Sequence, residues 1–393
     1  HYNKEYKMKV IIKYLLSIVF VFLLNTLNIS ANESIKIGLL VPLTGQYEDI
    51  GKSIIQSTRM AINKIDDSKI LILPRDTKSN PKETLKKVEE LYAEGIRIFI
   101  GPVFNKNLKE LSKFEDVTFL SLTNKILNNP KNVISAGINA KSQFDAIKKY
   151  QKINELKKTL VLIPKKNYKE EIEEAISKSK IKTKKVFYYD VDPTKLTQQI
   201  EKVTKYKIRK KNLKDEIKRI ENSEEANKEK KLEILKKKDT LGKIGYDSII
   251  IADFDESLKS VTTSLLYTDV SPKKISFISL NQWFDETLFR ETASQPISFP
   301  SVNKENFDQF KISFKEFYDY DPNQLSLITY DLVGLIYYLL SQNNFEVSDK
   351  IFKKENRFKG ISGIFQIKNK KINHELNFYS VDNESFIRIF WVF

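Results

Sequence analysis

Short apolar runs alternate with amphipathic segments over residues 35–140, and this alternation predicts a parallel α/β arrangement. Ile35–Val41 is a continuous apolar run that stops at Pro42, and a turn follows at Gly45. Apolar runs without polar alternation are typical of strands that are buried on both faces of a parallel sheet. We therefore predict a β–α series with strands at 35–41, 70–74, 96–100, 118–122 and 133–136.

A second β–α series begins near Ser142. Its strands are predicted at 159–164, 186–189, 248–253 and 275–280. Two consecutive series indicate two lobes rather than one continuous sheet. We assign residues 32–141 and 284–340 to the first lobe, and residues 142–283 and 341–393 to the second lobe.

The start of one helix is specified residue by residue. Asn80 is a preferred capping residue, and Pro81 follows it at the first helical position, where no backbone N–H is needed. Glu83 then occupies the third helical position, which completes a capping pattern. We predict that a helix begins here and buries Leu85, Val88 and Leu91.

A carboxylate interrupts the most apolar helical segment of the chain. Leu325–Leu340 predicts a buried helix, and at 16 residues it is short for a membrane span. Asp331 lies inside this segment, and a buried carboxylate needs a partner. Arg59 and a helix end are the two partners that we consider, and we interpret the role of Asp331 as structural.

Residues 195–243 differ in kind from both series, because they are dense in Lys and Glu and carry only a thin apolar stripe. A polar break at 221–227 divides the segment. Two interpretations stay open: a pair of helices that forms an antiparallel hairpin, and a partly disordered charged insertion.

The amino-terminal pattern predicts export. Lys9 and Lys13 precede the apolar run Leu15–Leu24, and Ala31 supplies a small residue at the end, so residues 8–31 are interpreted as a cleaved signal peptide. We therefore expect a periplasmic protein with no nucleic-acid partner and, after cleavage, no stable membrane span. The sequence has no cysteine, which excludes disulfides and a lipid anchor on cysteine. The formal net charge of +16 is interpreted as a composition bias.

Candidate catalytic chemistry is sparse. The sequence contains two histidines, His1 and His374, and no nucleophile elbow or phosphate-binding glycine loop. No His/Glu spacing suited to a metal is present either. We predict a protein that is not an enzyme, with no catalytic residue, no metal and no cofactor.

Four segments carry a resemblance to a known family, in this order along the chain: Ile37–Gly45, Ile98–Val103, Ser326–Asp331 and Gly360–Gly363. They resemble the type I periplasmic binding proteins of the leucine/isoleucine/valine-binding class. The resemblance implies a two-lobed α/β fold in which each lobe is a parallel sheet flanked by helices. Three further segments are most similar to the penicillin-binding protein activator branch: Leu73–Thr77, Gly101–Phe104 and Phe358–Phe365.

The resemblance also places a ligand in the cleft between the lobes, at the carboxyl ends of the strands. The loops that follow the strands supply the candidate cleft residues: Thr44, Gly45, Tyr47, Phe104, Asn105, Ser121, Thr123, Asn124, Tyr168, Asp253 and Trp283. Amino-acid-binding relatives hold the ligand carboxylate with hydroxyls and backbone amides in the loop after the third strand and in the next loop. Here Gly101–Asn107 has no serine or threonine, so only Ser121 and Thr123 can supply hydroxyls, and the clamp is incomplete.

The resemblance implies two possible functions. The first is a non-catalytic protein that docks a cell-envelope partner such as a peptidoglycan synthase, for example a penicillin-binding protein. The second is a periplasmic receptor that delivers an amino acid or a related small solute to the permease of an ABC transporter.

Overall fold

The computed structural model describes residues 34–390, and the predicted signal peptide at 8–31 lies outside the described residues. Within residues 34–390 the chain forms ten α-helices and fifteen strands, which are arranged in three sheets. Two of these sheets form the cores of two lobes, and this arrangement confirms the predicted two-lobed α/β fold.

The first lobe is built on a parallel five-stranded sheet of order β2-β1-β3-β4-β5. Its strands are β1 (Ile35–Val41), β2 (Ile70–Asp76), β3 (Ile98–Ile100), β4 (Thr118–Ser121) and β5 (Val133–Ser135). The predicted strand positions agree with these bounds to within two residues. Every residue of the three central strands β1, β3 and β4 from Ile37 onward is buried, as expected for a sheet covered on both faces.

Helices α1 (Glu48–Ile65) and α2 (Pro81–Ala93) flank this sheet. The side chain of Asn80 accepts hydrogen bonds from the backbone N–H groups of Lys82 and Glu83, so the predicted start of α2 is confirmed. Helix α10 (Gln324–Ser341) returns from the far end of the chain and packs on α1, where the Ser53 and Ser326 hydroxyls lie 2.6 Å apart. By length and composition α10 could cross a membrane, but most of it is buried in this lobe.

The second lobe contains a seven-stranded sheet of order β15-β14-β10-β9-β8-β6-β7. Its strands are β6 (Thr159–Pro164), β7 (Thr183–Tyr189), β8 (Ser248–Ile251), β9 (Ser276–Ser279), β10 (Ile297–Ser301), β14 (Asn377–Asp382) and β15 (Ser385–Phe390). The five neighbouring strands β7, β6, β8, β9 and β10 are parallel, whereas β14 pairs antiparallel with β10 and β15 pairs antiparallel with β14. Its helices are α3 (Ala140–Ile153), α4 (Lys169–Ser179), α5 (Pro193–Val203) and α8 (Asp255–Tyr267), and α9 (Lys304–Tyr318) follows β10.

Strand β10 corrects one predicted lobe boundary. Residues 284–340 are predicted from sequence to lie in the first lobe, but Ile297–Ser301 pairs with β9 and β14 of the second sheet. Proline is disfavoured inside a sheet because it lacks a backbone N–H donor, so a segment that contains Pro300 is expected from sequence to be a loop. Pairing with β9 involves only Ile297 and Ser298, so Pro300 lies beyond that ladder.

A small antiparallel sheet sits where the two lobes meet. It consists of β11 (Asn356–Lys359), β12 (Ile364–Lys368) and β13 (Lys371–Glu375), and β13 packs against β5 and α3. The Asn139 side chain donates to the Ile372 carbonyl at 3.0 Å, and the backbone N–H of His374 donates to the Ser142 hydroxyl at 2.9 Å. These bonds attach the small sheet to the segment that crosses from one lobe to the other.

The charged insertion is a helical hairpin, which decides between the two interpretations left open by the sequence. Helix α6 (Tyr206–Glu221) packs against α7 (Lys228–Lys236), and the break between them falls at the predicted polar residues. Helix α5 instead packs on α8 as an ordinary crossover helix, so the insertion proper begins near residue 205 rather than 195. Arg209 anchors the hairpin, because its buried guanidinium donates to Thr204, Thr240 and Thr268.

Candidate ligand cleft between the lobes

A cavity of about 720 Å³ lies between the two lobes and is called the interlobe cavity below. Loops that follow strands of both main sheets form most of its wall, together with the start of α10. The lining residues are Ile50, Val103, Phe104, Asn105, Leu122, Thr123, Asn124, Lys125, Gly137, Ile138, Gln143, Phe254, Asp255, Asn281, Gln282, Trp283, Asp285, Asn323, Gln324, Leu325 and Ile328. The cavity thus has the position expected for a ligand site in an α/β sheet, at the carboxyl ends of its strands.

Five predicted cleft residues line this cavity: Phe104, Asn105, Thr123, Asn124 and Trp283. The ring of Phe104 packs against the ring of Tyr47, and the two ring centroids lie 4.6 Å apart. Trp283 faces the cavity from the second lobe and has a backbone φ of 49°, in the left-handed region. The structure therefore places aromatic side chains from both lobes on the same cavity.

The remaining predicted residues do not line the cavity. Thr44 donates its hydroxyl to Asp76 at 2.7 Å, and this bond fixes the turn that contains Gly45. Tyr47 does not line the cavity, and its ring packs on Phe104. These positions are explained by the turn between β1 and α1.

Ser121 was expected to offer one side of an amino-acid clamp, but its hydroxyl points elsewhere. The residue is fully buried, and its Oγ donates to the Pro102 carbonyl at 2.8 Å. Thr123 does line the cavity, and its Oγ1 accepts a hydrogen bond from the Lys125 backbone N–H at 3.2 Å. One hydroxyl, rather than two, thus remains near the position of the predicted clamp.

Asp253 lies behind the cavity wall in a buried polar network. Lys166 Nζ and Tyr189 Oη both lie 2.6 Å from its carboxylate, and the Tyr168 hydroxyl donates at 3.2 Å. Burial, together with the Asp253 carboxylate, raises the pKa of Tyr168 and Tyr189 above the ordinary tyrosine value. Both phenols therefore stay protonated as donors, and the network fixes the end of strand β8.

Several polar residues that line the cavity were not predicted from sequence, above all Asn281. This side chain is only 4% exposed. Its Oδ1 accepts hydrogen bonds from the Trp283 backbone N–H at 3.0 Å and from the Ser301 hydroxyl at 2.8 Å. Its Nδ2 is buried and has no partner among residues 34–390.

Gln143 and Gln282 support the same wall. Gln143 Oε1 accepts from the Asn281 backbone N–H at 2.8 Å, and Gln282 Nε2 donates to the Leu280 carbonyl at 3.0 Å. Because Asn281 and Gln282 lie two and three residues after the end of strand β9 at Ser279, the rule that selects loops after strands could have identified them. Asn323 and Gln324 could not be found in this way, since they reach the cavity from the start of α10.

One carboxylate links the lobes beside the cavity. Glu171 on α4 of the second lobe accepts hydrogen bonds from the backbone N–H groups of Ile126 and Leu127, at 3.0 and 2.8 Å. These two residues belong to the first-lobe loop that continues from the lining residues Thr123 and Lys125. The contact fixes the distance between the lobes on this side of the cleft.

Over residues 34–390, no group of three or more His, Asp or Glu side chains is placed to hold a metal ion. The polar atoms of the interlobe cavity are mainly amide groups, which bind by hydrogen bonding. The arrangement is suited to recognition of a ligand.

The two lobes and the cavity between them have the architecture of two-lobed periplasmic binding proteins. Residues 34–201 match the family model for periplasmic binding proteins. The resemblance to type I periplasmic binding proteins is thereby confirmed, and the chain has their fold.

Two solved structures share this fold over most of the chain. A Rhodospirillum rubrum protein described as a branched-chain amino acid ABC transporter is 12% identical, with a TM-score of 0.68, and the match covers 91% of this chain and 100% of that chain. The carboxyl-terminal domain of LpoA from Haemophilus influenzae, a regulator of PBP1A, is 15% identical, with a TM-score of 0.59, and covers 90% and 100%. Neither is described as an enzyme.

A shorter match comes from sequence. An uncharacterised protein of Methanocaldococcus jannaschii is 33% identical over 93 residues. The match covers 22% of this chain and 22% of the archaeal protein, so it extends over less than a quarter of either.

Proposed function

We propose that this protein is a non-catalytic binding protein of the periplasm that takes a small polar solute into the interlobe cavity and presents it to a permease. The observation that carries the proposal is the interlobe cavity of about 720 Å³, which both lobes line with carboxamide and aromatic side chains. Asn281 in its wall also has a buried Nδ2 without a partner among residues 34–390, and a buried donor without an acceptor costs about 1 to 3 kcal/mol.

Size and position support the same function. Ligand pockets for small molecules span about 300 to 1,000 Å³, and the interlobe cavity falls within that range. Its wall comes from both lobes, so a bound solute contacts both and favours their closed arrangement. The structural similarity to the Rhodospirillum rubrum transporter protein agrees with this use of the fold.

Thermal unfolding in the presence of candidate solutes tests the proposal. A ligand present at 100 times its dissociation constant stabilises the folded state by about 2.7 kcal/mol. We expect at least one class of small polar solute to raise the melting temperature of the wild type and to act much less on Asn281→Leu. Unchanged melting across amino acids, sugars and peptides would count against a solute receptor.

A second candidate function is docking of a cell-envelope partner such as a penicillin-binding protein. Its support is the similarity to the LpoA domain, together with the exposed α6–α7 hairpin. Residues 205–243 carry 15 Lys or Arg and 8 Asp or Glu side chains, a net charge of +7, and helix α7 buries no residue. Such a surface fits an acidic partner patch.

Surface plasmon resonance with a purified penicillin-binding protein from the same cells tests this candidate. The variant Lys230→Glu/Lys237→Glu changes the charge of the hairpin, and Lys82→Glu/Lys86→Glu on α2 is the matched control. Docking through the hairpin requires loss of binding in the first variant alone. Equal binding by all three proteins would exclude the hairpin as the docking surface.

A further inference from the structure

We infer that the ligand of the interlobe cavity is a neutral polyhydroxylated compound, a sugar or short oligosaccharide, rather than an amino acid. This inference rests on the proposed solute-binding function and names the class of solute. Four features of the wall lead to it: its amide groups, its aromatic rings, its charges and the unpartnered donor of Asn281.

Carboxamides are the largest class of polar side chain in the wall. Seven of them line the cavity: Asn105, Asn124, Gln143, Asn281, Gln282, Asn323 and Gln324. A carboxamide places an acceptor oxygen beside a donor nitrogen, and a hydroxyl both donates and accepts. Neighbouring hydroxyls of a sugar ring can therefore be matched by one carboxamide, whereas a carboxylate ligand can only accept.

Several of these amides keep polar atoms available. Asn124 and Gln324 are exposed, and neither makes a side-chain hydrogen bond within residues 34–390. Asn105 uses its Nδ2 to donate to Asn129 at 2.9 Å, which leaves its oxygen free to accept. Available donors and acceptors thus come from the first-lobe loops and from the start of α10.

Aromatic rings are the second feature of the wall. Phe104 lines the cavity from the first lobe, and Phe254 and Trp283 line it from the second. All three are partly buried, so each retains an exposed portion of its ring. The C–H face of a sugar ring is apolar, and aromatic side chains provide a large, rigid apolar surface for it.

Charge is the third feature. Only three lining side chains are ionisable, namely Lys125, Asp255 and Asp285. Both carboxylate oxygens of Asp285 already accept hydrogen bonds from Thr287, at 2.9 and 2.8 Å. Lys125 and Asp255 lie on opposite lobes and would suit the two charges of an amino acid, so amino acids are the competing ligands in the test.

The fourth feature is the geometry at Asn281. The Trp283 backbone N–H and the Ser301 hydroxyl both donate to its Oδ1, and these two bonds fix the orientation of the amide. Nδ2 is then the group without a partner. Because Nδ2 is itself buried, a ligand oxygen accepts from it only where the ligand reaches past the surface of the wall. A sugar hydroxyl and a carboxylate can both accept, so this feature requires an acceptor on the ligand, and the first three features favour a hydroxyl.

Isothermal titration calorimetry of the full mature chain decides between the ligand classes. The probes are glucose, galactose, N-acetylglucosamine and maltose in one panel and the twenty amino acids in the other. We expect saturable binding of at least one sugar and none of the amino acids. Trp283→Leu and Asn281→Leu should each weaken that binding at least tenfold.

Matched controls separate the site from general effects. Asn222→Leu repeats the asparagine change, and Phe317→Leu likewise replaces an aromatic side chain with leucine; both positions are exposed and lie outside the cavity, so both variants should bind as the wild type does. If Asn281→Leu does not fold, Gln324→Ala tests the same cavity from an exposed position, with an expected loss of about threefold to tenfold.

The outcomes distinguish this inference from the function on which it rests. Binding of an amino acid without any sugar would overturn the sugar inference and leave the solute receptor standing. Flat titrations in both panels, with folded protein, would overturn both. Binding of a sugar that survives in Trp283→Leu and Gln324→Ala would place the sugar outside the interlobe cavity and overturn the inference.

Discussion

Asp331 and Asn281 are two polar residues of the lobe junction with the same burial and opposite hydrogen bonding. Their exposed fractions are 3% and 4%. Asp331 accepts three hydrogen bonds, from the Ile361 and Ser362 backbone N–H groups and the Ser362 hydroxyl, at 2.7, 2.8 and 2.5 Å. Asn281 keeps one donor without an acceptor. A completely bonded buried group serves the fold, whereas an incomplete one in a cavity wall is a candidate for ligand binding.

The largest expected effect is on Asp331. Replacing it with alanine leaves two backbone donors and one hydroxyl without an acceptor inside the lobe junction. Because hydrogen bonds to a charged group contribute about 1.5 to 3 kcal/mol each and are not additive, we expect Asp331→Ala to lower the free energy of unfolding by about 4 kcal/mol. Urea unfolding followed by circular dichroism measures it, with the exposed Asp321→Ala as control. A loss below about 1 kcal/mol would mean that the contact does not hold the small sheet in place.

The next effect is a pH dependence that two buried groups share. Asp331 and His374 line the same small internal void. Burial raises the pKa of Asp331 to about 6 and lowers the pKa of His374 to about 4. Between pH 4 and pH 6 the folded state therefore keeps both neutral, while the unfolded state has both charged, and their opposite contributions to stability nearly cancel.

Single variants should expose each contribution. Because the unfolded state binds a proton on His374 that the folded state does not, His374 makes folding more favourable as the pH rises from about 4 to 6.5. His374→Gln lacks this contribution, so its free energy of unfolding should fall by about 3 kcal/mol relative to the wild type as the pH rises from 4 to 6. Asp331 makes folding less favourable as the pH rises over the same range. The free energy of unfolding of Asp331→Asn should therefore rise by a similar amount relative to the wild type between pH 4 and pH 6. Urea midpoints at pH 4, 5 and 6 test both. Parallel pH profiles in all three proteins would contradict the assigned pKa directions.

The smallest expected effect is on Asn281. Asn281→Leu removes the acceptor of Trp283 and Ser301, but it also removes the unpartnered Nδ2. Because the loss and the gain offset each other, we expect a change in the free energy of unfolding of about 1 kcal/mol, far below that of Asp331→Ala. The same urea experiment measures it. A loss as large as that of Asp331→Ala would show that the contrast between the two residues is wrong.

The strands, the capping of α2 and the two-lobed arrangement could be predicted from sequence because each depends on short-range patterns. The partner of Asp331 could not. Arg59 and a helix end were considered, but the actual donors are Ile361 and Ser362, 30 and 31 residues further along the chain. Such a long-range pairing has no local signal in a single sequence.

The cleft divides in the same way. Phe104 and Thr123 follow strands, and the topological rule was sufficient to place them in the wall. Ser121 obeys the same rule but is the last residue of β4, so its side chain turns into the lobe and donates to Pro102. Direction at the end of a strand depends on alternation between the two faces, and a shift of one residue reverses it.

The contact between Glu171 and the Ile126–Leu127 loop affects how fast the cleft can open, as well as where the lobes lie. Both of its hydrogen bonds join the lobes directly, so opening of the cleft on this side has to break them. If a solute binds as proposed, its escape requires this opening, and the contact would lengthen its residence time between the lobes. A substitution of Glu171 would then change the lifetime of the complex from a position that does not line the cavity.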